Sequence, residues 1–271
     1  MQLTKDKILS FQSFIWQFYH TQGRSFAWRN INNPYCILVS EIMLQQTQTY
    51  RVTPKYEQFI DLFPNFIVLA HAPLRHVLAA WQGLGYNRRG KYLQEIAQKV
   101  MCEFEGQLPN DQDALKTFPG IGPNTAGSIC AFAFNMPVVF IETNIRAVFL
   151  HSFFRGKQDV HDKELLPLIS ATLDHNNPRE WYYALMDYGV LLKKMHPNPS
   201  RNSKHHAVQT KFEGSDRQIR GNIIKILVEQ QIVTKEQLLI LLKQEEHRIN
   251  TIITQLSNDG LIKQEGNQLY I

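Results

Sequence analysis

From residue 5 to about 192 the hydrophobic spacing is helical throughout. The breaks fall at NNP (32–34), FPN (63–65), LPND (108–111), FPGIGPN (118–124) and NMP (135–137). Few β-branched alternating runs interrupt the pattern, and proline and asparagine at those points end one helix and start the next. A chain written this way must bury many short helices against one another, so the expected fold is mainly α. The first helix shows the rule: Phe11, Phe14, Ile15, Phe18 and Tyr19 share one face, while Gln12 and Ser13 break the apolar run, so an amphipathic helix is expected here and not a signal peptide. No apolar run approaches the roughly 18 residues a membrane span needs. With 271 residues, 44% of them hydrophobic, the chain can build one large or two modest domains around a real core.

The regular pattern lapses over 193–215, KKMHPNPSRNSKHHAVQTKFEGS, which is expected to be a basic linker between a helical core (1–192) and a C-terminal unit (216–271). Charge points to the same place. Residues 193–225 hold eight Lys/Arg and two acids, a net of +6, whereas the whole chain carries only +5. So concentrated an excess is the footprint of a polyanion-binding surface. In the last 56 residues three helices and a hairpin around Gly266-Asn267 spell a winged-helix architecture, with Thr234 and Gln237 forming a capping box. The third of these helices carries only His247 and Arg248, which leaves DNA contact and protein packing both open for the wing. Cys36, Cys102 and Cys130 lie far apart and match no disulfide framework, which suits a reducing, intracellular setting.

Two stretches carry chemistry on their own terms. In FPGIGPNTAG (118–127) a Gly-x-Gly turn between helices exposes backbone N–H groups where a phosphate can sit. In EIMLQQTQT (41–49) Glu41 is expected at a buried, apolar helix start beside Gln45, Gln46 and Gln48, with no opposite charge in the stretch. Burial of that kind raises a carboxyl's pKa and suits it to donate a proton.

Five motifs, SEIMLQQTQ (40–48), WQGLGYNRR (81–89), FPGIGPNTAG, ETNIRAV (142–148) and ALMDYG (184–189), occur in order and at the right separations. Together, over about residues 8–195, they resemble the helix-hairpin-helix DNA glycosylase superfamily, and within it the adenine-DNA glycosylase (MutY) family. The resemblance implies a two-subdomain helical core that removes a mispaired base from double-stranded DNA. Glu41 would be the general acid and Glu142 the electrostatic stabiliser or transient nucleophile at C1′. Gln45, Gln46 and Gln48 would probe the bases, Tyr86 would wedge into the duplex, and Trp28 and Arg29 would line the pocket. Arg88, Gly120, Gly122, Thr125, Asn144, Lys193, Lys194, Arg201 and Lys204 would complete the DNA-binding set. The hairpin carbonyls at Gly120–Gly122 would suit a monovalent cation.

The chain also departs from that family. Glu142 stands where the family has aspartate. Position 124 is Asn124 where bifunctional relatives carry a Schiff-base lysine, which implies a monofunctional enzyme that leaves an abasic site. No cysteine follows Cys130, so the family's [4Fe–4S] loop has no ligands here, and basic residues are expected to take over its phosphate contacts. His196, His205 and His206 have no Cys or acidic partner at zinc spacing, so no metal is expected. The family's C-terminal module for sensing 8-oxoguanine is expected to be absent. Adenine opposite 8-oxoguanine or guanine is the expected substrate. A uracil or thymine mismatch glycosylase, or a catalytically silent lesion sensor, are the alternatives. The protein is expected to act as a monomer, in the nucleoid-containing cytoplasm if the source is bacterial or archaeal.

Overall fold

The computed structural model describes residues 3–205 and 211–271. His206 lies outside them. The helices expected from the sequence form, and the chain divides into two compact units. Among the described residues, unit 1 takes in 3–37, 110–117 and 121–205, and unit 2 takes in 38–109, 118–120 and 211–271. The chain passes from one to the other within α2 (Pro34–Leu44).

Unit 1 is built from α1 (Lys5–Gln22), α7 (Gln112–Lys116), α8 (Pro123–Phe134), α9 (Thr143–Phe153), α10 (Asp162–Thr172) and α11 (Pro178–Met195). Its core joins Ile15, Phe18, Phe132, Phe149, Trp181 and Tyr182. α9 and α11 pack tightly, and a Cβ on Gly189 would lie 2.4 Å from the Asn144 carbonyl oxygen. The glycine of ALMDYG is therefore there for packing. The expected linker is shorter than the sequence suggested, because α11 carries Lys193 and Lys194 in its last turn. The chain then forms a 3-10 turn (Pro199–Asn202). Its Ser200 hydroxyl donates to the Thr143 carbonyl (3.0 Å), and Val160 N–H donates to Asn202 (3.0 Å). Proline and serine spacing masks this order, since neither follows a helical or strand period.

Unit 2 contains α3 (Thr49–Leu62), α4 (Phe66–His71), α5 (Leu74–Ala80) and α6 (Arg88–Glu103), followed by the C-terminal elements. These are α12 (Asp216–Gln230), β1 (Ile232–Thr234), α13 (Lys235–Leu242), α14 (Glu246–Asn258), β2 (Lys263–Glu265) and β3 (Gln268–Tyr270). The capping box at Thr234–Gln237 is formed on both sides. The expected hairpin gains a strand, giving a three-stranded antiparallel sheet in the order β1-β3-β2. The C-terminal core of Ile219, Ile223, Leu227, Ile253 and Leu256 includes Leu78 of α5, and Arg75 donates to the Val228 carbonyl (2.9 Å). The last helices thus share a core with α5. Arg248 on α14 is engaged inside the unit by Asp216 (2.7 Å), Gln244 and the Gly214 carbonyl.

Candidate active site

In unit 2 Glu41 sits in the last turn of α2, half-buried, and not at a helix start as its sequence suggested. The glutamines follow in the loop that leaves the helix. Gln45 donates to the Gly120 carbonyl (3.1 Å), engaging one of the hairpin carbonyls expected to face a cation. Gln46 is exposed with φ 54°, and Gln48 is exposed immediately ahead of α3. Gly120 has φ 74°, and a side chain there would strike Tyr92 at 2.7 Å, so this turn needs glycine.

Arg89, on the buried face of α6, holds this loop in place. Its Nη1 donates to the carbonyls of Ile42 (2.9 Å), Met43 (2.9 Å) and Gln45 (2.5 Å). Its Nη2 reaches Thr47 Oγ1 (2.9 Å) and the carbonyls of Leu84 (3.3 Å) and Gly85 (3.1 Å). One guanidinium thus ties together the carbonyl end of α2, the glutamine loop and the GLG turn. Those terminal carbonyls have no partner within the helix, and a cation suits that end of the dipole. Burial, with Arg51 nearby, pushes the Arg89 pKa down to about 10. Sequence reading selected Arg88 in place of Arg89. Arg88 is paired with Asp259, and this hydrogen bond raises its pKa. Tyr86 stands 39% exposed at φ 50° just before α6, and its hydroxyl accepts from Arg217 (2.8 Å).

In unit 1 Glu142 caps the N-terminus of α9. Its Oε1 accepts from Asn144 N–H (2.8 Å) and Ile145 N–H (2.9 Å), and its Oε2 from the Asn144 amide (3.2 Å). Lys193 donates to Asn144 Oδ1 (2.8 Å) and buttresses that side chain. Burial lowers the Lys193 pKa, and the Glu142 charge works against that shift. Glutamate is an uncommon N-cap residue, but the extra methylene folds back and leaves the carboxylate fixed by three hydrogen bonds. Asn124, exposed in the first turn of α8, accepts from Ile141 N–H (3.4 Å), next to Glu142. Thr125 follows it, and Gly122 precedes the helix as its N-cap. Lys194, Arg201 and Lys204 remain exposed in this unit.

Trp28 and Arg29 are tied into the interior of unit 1. Trp28 is 4% exposed and stacks on Phe26 at 4.9 Å. Arg29, also buried, forks onto both oxygens of Asp187 (2.8 Å each) and lies 4.3 Å over the Tyr183 ring. Arg24 completes the cluster through its backbone N–H (2.7 Å) and side chain. Burial alone would push the Asp187 carboxyl up, but the Arg29 guanidinium bonded to it, with Arg24 behind, holds it below the usual carboxylate range. Asp187→Asn leaves Arg29 buried without its counter-charge and is expected to destabilise the protein by about 3–5 kcal/mol at pH 7. The folded-state pKa lies below the unfolded one, so this stability is present above about pH 4 and disappears as pH falls through the folded value. Urea unfolding of both proteins across acid pH checks the sign: the gap between them should narrow on acidification, and a gap independent of pH would refute it.

The donor set does not fit a four-thiolate cluster. Cys36 and Cys130 belong to unit 1 and Cys102 to unit 2, and none follows the ALMDYG helix. His196 instead stacks on His151 (4.9 Å) and His205 packs edge-on against His161 (5.7 Å). No group of three metal-ligating side chains occurs among the described residues.

The profile of the HhH-GPD superfamily of base excision DNA repair proteins matches residues 39–171. The adenine DNA glycosylase of Mycolicibacterium smegmatis is 30% identical over 265 residues, 91% of this chain and 90% of that protein. That of Buchnera aphidicola (subsp. Baizongia pistaciae) is 35% identical over 68% of this chain, which spans only 53% of that relative's length. Among solved structures, a thermostable thymine-DNA glycosylase superposes with TM-score 0.62 at 25% identity, covering 70% of this chain and 89% of that one. An endonuclease III–DNA complex shares the fold at TM-score 0.55 and 17% identity, covering 72% and 88%. No described helix is long and apolar enough to cross a membrane. The chain belongs to the HhH-GPD superfamily of base excision DNA repair proteins, within its adenine DNA glycosylase family.

Proposed function

We propose that the protein is a monofunctional DNA N-glycosylase that removes adenine mispaired with 8-oxoguanine or guanine in double-stranded DNA. The observation that carries this reading is the Glu142 carboxylate, fixed at the start of α9 by three hydrogen bonds in place of the family's aspartate. A carboxylate held still can face the positive charge that builds on the sugar as the bond to the base breaks. Glu41 supplies the other half. It protonates a purine ring nitrogen, the C1′–N electron pair leaves with the base, and water adds at C1′ to leave an abasic site. The first turn of α8 presents Asn124, which has no amine to form a Schiff base, so the strand stays intact. The reaction runs without an iron–sulfur cluster, for which this chain has no ligand set.

Likeness to a thymine-DNA glycosylase at 25% identity favours a second reading, excision of thymine or uracil from a mismatch with guanine. Duplexes carrying A·8-oxoG, A·G, U·G or T·G, each treated with hot alkali after incubation, separate the readings. Breakage on the first two supports adenine excision, and breakage only on U·G or T·G supports the second reading. An intact panel removes the enzyme and leaves a lesion-sensing DNA binder.

A further inference from the structure

Unit 2 contains a groove of about 960 Å³, lined on one side by Gln45, Tyr86 and the GLG turn and on the other by α12. Six cationic side chains line it, Arg51, Arg88, Arg89, Arg217, Arg220 and Lys225, and none of its lining residues is acidic. Asp259, just outside, takes Arg88 and Arg220, and Arg89 holds carbonyls. Arg51 donates to the Gly83 carbonyl and Arg217 to the Tyr86 hydroxyl, both neutral acceptors, and Lys225 is exposed, 3.9 Å from Glu229. Gly221 lines the same wall in mid-helix, and an added Cβ there would meet nothing within 4 Å. Packing therefore does not require this glycine, although glycine inside a helix costs about 0.5–1 kcal/mol relative to alanine.

We propose that α12 forms one wall of a channel for a DNA strand, with Arg217, Lys225 and Arg51 facing phosphates and Gly221 leaving room for the sugar–phosphate backbone. The site rests on the glycosylase reading for its choice of polyanion, and it deepens that reading: a C-terminal helix, tied to Tyr86 through Arg217, takes part in holding the substrate. The volume is at the upper end of small-ligand pockets, as a segment of polymer requires. The side-chain chemistry suits phosphate, by charge from lysine and by paired donors from arginine.

The test uses the full chain and a fluorescein-labelled duplex without a mismatch, titrated over a series of KCl concentrations. Gly221→Phe should fold with unchanged or higher Tm, yet lose at least about tenfold in affinity by obstructing the channel. Arg217→Ala combined with Lys225→Glu should flatten the plot of log affinity against log salt by about 2, since each phosphate contact contributes roughly 0.9. Wild-type affinity and slope in both proteins would overturn the proposal, as would a wild-type protein that does not bind the duplex. Base release from A·8-oxoG by the wild type is followed in parallel. Channel-dependent binding without any release would refute the enzyme reading alone, and release with channel-independent binding would refute the channel alone.

Discussion

Glu41→Gln is expected to slow base release by roughly 10²–10⁴-fold, the usual worth of a general acid, while leaving affinity for the mismatched duplex unchanged. The glutamine side chain has the same shape but no acidic proton. The prediction follows from where the chain puts the carboxylate. In the last turn of α2 it lies at the carbonyl end of the helix, where the dipole disfavours negative charge, and the loop that follows carries the glutamines. Single-turnover release by both proteins, with affinity measured separately, checks it. A variant within tenfold of the wild-type rate would remove Glu41 from the chemistry, and a variant that loses binding would make Glu41 a DNA contact.

The second large effect concerns stability. Arg89→Met should destabilise the protein by about 3–5 kcal/mol, because it leaves carbonyls of α2, the glutamine loop and the GLG turn without their shared donor. Release should slow more than the unfolded fraction explains, since Gln45, and with it the approach to Glu41, is held through the same loop. Arg89→Lys should recover only a minor part of the loss, because an ammonium has three donors and no planar fork to span both turns. Urea unfolding measures the first effect and single-turnover release at a temperature where the variant is folded measures the second. Full rescue by lysine would show that charge alone matters there.

Neighbouring residues show how far the sequence could be read. Arg88 and Arg89 are indistinguishable by composition, yet a helix turns about 100° per residue, so one faces in and the other out. Leu93, Ile96, Ala97 and Val100 mark the buried face of α6, and Arg89 is in step with them. That periodicity was available and would have assigned the structural arginine. Asp187 carried a similar signal as an acid within the buried run of α11, but its partners Arg24 and Arg29 lie more than 150 residues away in the chain, beyond the reach of any local pattern. Glu142 was legible as a catalytic candidate, and its role as the cap of α9 is compatible with that, since the capped carboxylate is the one held still. The docking of the C-terminal helices on Leu78 was not legible, because an amphipathic face says that it needs a partner and not which one.

The most direct test of the central claim is product analysis on a single A·8-oxoG duplex incubated with the wild-type protein. The account predicts free adenine equal in amount to the abasic sites formed, with the strand intact until hot alkali cleaves it. Strand breakage without alkali at the rate of base release, or no free adenine from a protein that binds the duplex, would contradict it.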